Sequence, residues 1–162
     1  MRKLTTKTYL VPIIFWSLIS CHSTSYETNL YSNLKIAMER MEIDNMISEN
    51  QTVMLINMKG CSVCYSRALY FLEKNSDSKN ISYIITGVQS KKNLEIRLGK
   101  STISKDNIFL DLKDIIYSSG IHETYPIIFY RQSSKLLKIE LADLNNSGVY
   151  ETLSGFINES AR

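Results

Sequence analysis

Cys61-Ser62-Val63-Cys64 stands where an apolar run over 52–58 gives way to an amphipathic stretch over 65–72. The first run is short and rich in branched side chains, which reads as a buried strand. After it, Cys64, Ala68 and Phe71/Leu72 fall on one helical face. The two thiols therefore lie at a strand-to-helix turn, and the chain must fold around a strand that feeds directly into a helix. A helix N-terminus carries unpaired backbone N–H groups and partial positive charge, which favour thiolate over thiol on the first cysteine. The spacing brings the second thiol within one turn, close enough to attack a mixed disulfide formed on the first. A helix end contributes at most ~2 kcal/mol to a nearby charge, so a fall in the Cys61 pKa from about 8.5 to near 7 needs no other group. A bridge between Cys61 and Cys64 closes too short a loop to restrict the unfolded chain much, so its value is reactive more than structural.

The chain opens with Arg2, Lys3 and Lys7, continues through an apolar stretch over 9–19 and reaches Ser20-Cys21. That is the charged, apolar and small-residue order of an export signal. The stretch is too short for a permanent bilayer span, which needs roughly 20 apolar residues. Leu18-Ile19-Ser20-Cys21 resembles a bacterial lipobox, and the resemblance makes Cys21 a lipid anchor and the first residue after cleavage. The alternative is an ordinary signal peptide cut nearby, with Cys21 left as a free or pairing thiol. The expected division is a lipoprotein signal peptide over 1–20, a lipid-anchored tether over 21–29 and one domain over 30–162. Export to the periplasmic side of the cell envelope would put Cys61 and Cys64 where disulfides persist. His22 in place of an Asp after Cys21 points, by analogy with bacterial sorting, to the outer membrane.

The net charge of +3 belongs to the leader: taking its three basic residues from 19 leaves 16 Lys and Arg against 16 Asp and Glu. A near-neutral domain without a basic, aromatic-interleaved stripe excludes nucleic acid from the expected partners.

Along the domain, Leu30, Leu34, Ala37/Met38 and Met41 recur at helical spacing and predict a helix over about 30–48. The strand over 52–58 and the thiol turn follow, then a polar break over 74–80 and a strand over 81–86. A short helix over 93–98 ends at Gly99, and 100–107 reads as a loop. A short strand over 108–111 leads to a short helix bearing Leu112, Ile115 and Ile116 that stops near Gly120. Strands over 126–130 and 135–141 form a hairpin at the sheet edge, and Val149, Leu153 and Phe156/Ile157 mark a closing helix.

This order gives an α/β fold, a small mixed sheet with helices on both faces. With Cys61-Ser62-Val63-Cys64 and Tyr125-Pro126 at the head of the next-to-last strand, it resembles the thioredoxin superfamily, in particular its extracytoplasmic lipoproteins. The resemblance covers roughly 52–158 in order of elements. It implies a thiol-disulfide oxidoreductase acting on protein thiols and disulfides, and Ser62-Val63, which offers no further cation to hold a thiolate, points to a reductant or isomerase-like role over a general oxidase. Cys61 would be the nucleophile, Cys64 the resolving thiol, and Tyr125-Pro126 the substrate-docking loop. The dithiol is then the only cofactor, and electrons come from a membrane thiol-transfer partner. The family carries a cis-proline where Pro126 stands, and the element order favours that form over a trans proline opening an edge strand.

The sequence also departs from the family. Gly60 occupies the usual tryptophan position, Ser62-Val63 replaces Gly-Pro, and Leu55 stands where thioredoxins bury a carboxylate beneath the second cysteine. Lys59 and His122 could favour thiolate at Cys61 or simply face water. A closed zinc site lacks ligands, since His22 and His122 are the only histidines. Copper handling through Met58, His122 and the thiols is a further alternative, set against Met58 as core filling. A last alternative keeps the fold as a non-catalytic interaction module with the pair locked as a local disulfide.

Overall fold

The sheet is built outward from β1 (Thr52–Asn57), buried along all but its last residue. Its hydrophobic run leaves no solvent face, as expected of a strand covered on both sides. It pairs in parallel with β2 (Ile81–Thr86), also fully buried, through the crossover helix α2 (Ser62–Asn75). On the other side β1 pairs antiparallel with β4 (Ile127–Gln132), and β4 with β5 (Lys135–Leu141). The short β3 (Ile108–Asp111) adds in parallel to β2, giving the order β3-β2-β1-β4-β5. The computed structural model describes residues 24–47, 51–132, 135–146 and 148–159, and the expectations for 1–20, Cys21 and His22 lie outside them.

Alternation along the strands sends side chains to two cores. Met54, Ile56, Tyr83 and Tyr130 pack under α2 and the closing helix α6 (Val149–Glu159). Val53, Leu55, Ile127 and Phe129 pack under α1 (Thr24–Arg40) and the single-turn α5 (Ile115–Ser118). The connection from β2 to β3 carries α3 (Lys91–Leu98), capped by Ser90 and ended at Gly99 with φ 84°, and the four-residue α4 (Lys100–Ile103).

Three expectations are corrected. The first helix begins at Thr24, inside the stretch expected as a tether, and ends at Arg40 instead of continuing to 48. Glu42, at φ 59°, turns the chain back so that Ile43 and Ile47 re-enter the core. The stretch 100–107 is not all loop, because α4 fills its first half. No peptide bond among the described residues is cis, so the bond before Pro126 is trans. Trans is the lower-energy form of this bond by about 0.5–1 kcal/mol, and the β1–β4 ladder stops at Leu55–Ile127, short of Pro126, which has no N–H to extend it in either form. The Pro126 carbonyl instead accepts from Ala142 N at 2.8 Å, tying the proline to the end of β5.

Candidate active site

Cys61 is the N-cap of α2, its backbone outside the helical region at φ −59° and ψ 111° and its Sγ accepting the N–H of Cys64 at 3.3 Å. A side-chain acceptor at this position satisfies one of the orphan donors of the first turn. The first turn holds no acidic residue to oppose negative charge on sulfur. Cys61 is half-buried, whereas Cys64 is 1% exposed, so attack from outside reaches only the first sulfur. The two are joined as a disulfide with Cα atoms 5.2 Å apart.

The facing wall is the segment 122–126. Cys61 N donates to Thr124 O at 2.9 Å, so this loop rests directly on the thiol turn. Gly60 permits the approach: a Cβ there would lie 2.6 Å from the Thr124 carbonyl carbon. The tryptophan common in thioredoxins could not occupy this position without moving the loop. Asn57, ending β1, binds both sides of the junction. Its Nδ2 donates to Glu123 O at 2.8 Å, and its Oδ1 accepts from Lys59 N at 2.9 Å. From α1, the Tyr26 hydroxyl donates to the Glu123 carboxylate.

A parallel β1–β2 pair crossed by α2, an antiparallel β4–β5 pair closed by α6, and a dithiol capping the crossover helix form one recognisable arrangement. The fold is thioredoxin-like. No protein-family model and no curated protein matches the chain. Among solved structures it is similar to the solution structure of a "putative protein disulfide isomerase" from Bacteroides thetaiotaomicron. Identity is 16%, the TM-score is 0.45, and the match covers 74% of this chain and 80% of that one.

Within this thioredoxin-like frame, the residues singled out in the sequence divide. Tyr125 and Pro126 sit in the facing segment, half-buried and buried. Lys59 pairs with Asp114 at 2.7 Å, so its charge is met there. His122 is exposed and stacks edge-on against Tyr117 with ring centroids 4.2 Å apart. Leu55 packs on the α1 side of the sheet, and the β1 residues on the α2 side are the apolar Met54 and Ile56, so β1 places no carboxylate under Cys64. Asp111 is 2% exposed, and its carboxylate accepts from Ile115 N, Ile116 N and the Thr86 hydroxyl at 2.8–2.9 Å. It caps α5.

Met58 packs against the α2-side core. Among the described residues, no group of three or more His, Cys, Asp or Glu side chains is placed to hold a metal ion. Asn57 and Thr124 escaped the sequence reading. A polar residue closing an otherwise apolar strand beside a thiol turn was the available signal for Asn57; Thr124 acts through its carbonyl, which any residue would supply.

Proposed function

We propose that the chain is a thiol-disulfide oxidoreductase that reduces or isomerises protein disulfides, anchored to the cell envelope through Cys21. One observation carries the reading: a half-exposed sulfur caps α2 and accepts the Cys64 N–H, above a buried second sulfur. In the reduced protein the same N–H and helix end favour thiolate on Cys61.

That thiolate attacks one sulfur of a substrate disulfide. The substrate S–S bond breaks, a Cys61 mixed disulfide forms, and the second substrate sulfur leaves as thiolate and takes a proton from water. In reduction, deprotonated Cys64 attacks Cys61 Sγ and expels the remaining substrate sulfur. The substrate gains two electrons and two protons, and the Cys61–Cys64 disulfide results. A dithiol donor then returns the pair, and a membrane thiol-transfer protein is the partner that fits the anchor. In isomerisation the released substrate thiol attacks the mixed disulfide, so Cys61 leaves without net electron transfer. Tyr125 and Pro126 lie beside Thr124, which contacts the thiol turn, and the substrate strand docks against them.

The leader sequence supports export and lipidation, and His22 after the anchor supports the outer membrane. Cys61→Ser should abolish dithiothreitol-dependent reduction of protein disulfides, while Cys64→Ser should trap a mixed disulfide visible on non-reducing gels. Full activity in Cys61→Ser removes the nucleophile. A wild-type pair that neither equilibrates with glutathione nor alkylates below pH 8 after mild reduction supports the interaction-module alternative.

A further inference from the structure

A groove of about 710 Å³ runs along α2 beside the start of α6. Val63, Arg67, Tyr70, Lys74, Tyr150 and Glu151 line it. It begins at Ser62 and Val63, the residues between the two cysteines, and so opens beside the thiol turn. The cavity on the other side of the site, lined by Lys59, His122 and Tyr125, is smaller, about 170 Å³. Two apolar side chains on the groove, Val63 and Tyr70, are 56% and 63% exposed and give it an apolar contact surface beside its charges. The charge is lopsided: two lining cations face one carboxylate. A third cation, Arg97, is held to the wall by donating to the Ser66 hydroxyl at 2.9 Å.

We infer that this groove seats the substrate polypeptide next to its target cysteine and selects acidic segments with an apolar or aromatic residue between the charges. The inference rests on the proposed exchange at Cys61, since it names that site's substrate class. Helix geometry sets the spacing. At 1.5 Å per residue, Arg67 stands ~9 Å and Lys74 ~20 Å along the axis from Cys61. An extended chain advances ~3.3 Å per residue, so the complementary carboxylates fall about three and six residues from the substrate cysteine. Tyr70 lies between them, with the Lys74 ammonium 5.6 Å from its ring centre.

The test uses the full wild-type protein in its disulfide form. Three fluorescent peptides carry Ser at the target position, so that no exchange occurs, and either Glu, Gln or Lys three and six residues away. The Glu peptide should bind tightest and the Lys peptide weakest, with about two- to fivefold in Kd per charge pair. The differences should shrink between 0.05 and 0.5 M salt. The double variant Arg67→Glu/Lys74→Glu should reverse the order; both side chains are exposed, so folding is not at stake. Equal affinities, or an order that survives charge reversal, overturn the inference. So does a dimer in sedimentation that Tyr70→Glu dissolves, since a second copy would then be the occupant. Reduction of hydroxyethyl disulfide by the wild type is measured separately. Its absence overturns the proposed exchange chemistry, while the peptide affinities still decide the groove.

Discussion

Gly60 shows how one absent carbon sets the geometry of the site. The Thr124 carbonyl occupies the space a side chain would need, and from there it accepts the Cys61 N–H. Backbone cannot yield as the tip of a side chain can, so overpacking here is expected to cost about 1–3 kcal/mol. Gly60→Ala should lower the unfolding free energy by that amount, read as a lower urea midpoint at unchanged m-value. It should also lower kcat/KM for peptide disulfides more than for hydroxyethyl disulfide, because the displaced loop is the one proposed to dock the peptide. Equal losses on both substrates would mean that the loop does not dock peptide. The effect should be additive with a distant surface change and non-additive with Asn57→Ala, which loosens the same loop from beneath.

At the scale of elements, α5 shows how little local sequence is needed when a buried carboxylate organises a turn. Asp111, the last residue of β3, accepts the N–H groups of Ile115 and Ile116, and the Thr86 hydroxyl completes its shell. Asp111→Ala strands two backbone donors and a hydroxyl, a loss of roughly 2–3 kcal/mol. Asp111→Asn, which keeps one acceptor oxygen, should recover part of it. Urea unfolding reads the loss, and faster amide exchange at Ile115 and Ile116 would locate it; unchanged exchange there would mean that α5 stands without its cap. Periodicity and turn chemistry made β2, β3, β5, the Gly99 stop and the thiol turn legible in the sequence. The misread parts depend on contacts far along the chain or on lengths below one hydrophobic repeat. Thr24 to Asn29 looks like linker because it is polar, yet Tyr26 reaches Glu123, 97 residues away. The left-handed turn at Glu42 has no glycine to announce it, and α4 is four residues long. Pro126 stands directly before β4, and its bond is trans, the lower-energy form, where the family resemblance implied cis.

Over the whole molecule, the two cores differ in how they handle polar groups, and the difference sets the alkaline limit of stability. The α2-side core encloses Tyr83 and Tyr130, both fully buried, and the half-buried Tyr150 packs against it. Burial raises the pKa of each above the ordinary 10. For Tyr130, hydrogen bonding to the Glu140 carboxylate at 2.7 Å acts in the same direction, and Tyr150 reaches about 12 even though Arg67 pulls it down. A folded pKa above the unfolded one means that, above pH 10, the native state holds protons the unfolded chain has lost. Stability is therefore full below pH 10 and falls as pH rises toward the folded values, by up to ~1.4 kcal/mol per pH unit for each fully buried phenol. Urea midpoints should be flat in this respect from pH 8 to 10 and drop steeply by pH 11. The share of phenolate absorbance that is missing from Tyr83→Phe, which is the contribution of this buried phenol, should appear with unfolding instead of before it. Tyr83→Phe should flatten the alkaline slope by about one proton, and because the Tyr83 hydroxyl has no hydrogen-bond partner it should not weaken the protein at neutral pH. A slope unchanged in Tyr83→Phe, or a marked loss at pH 7, would show that this phenol is hydrated in solution and that the α2-side core is looser than its packing implies.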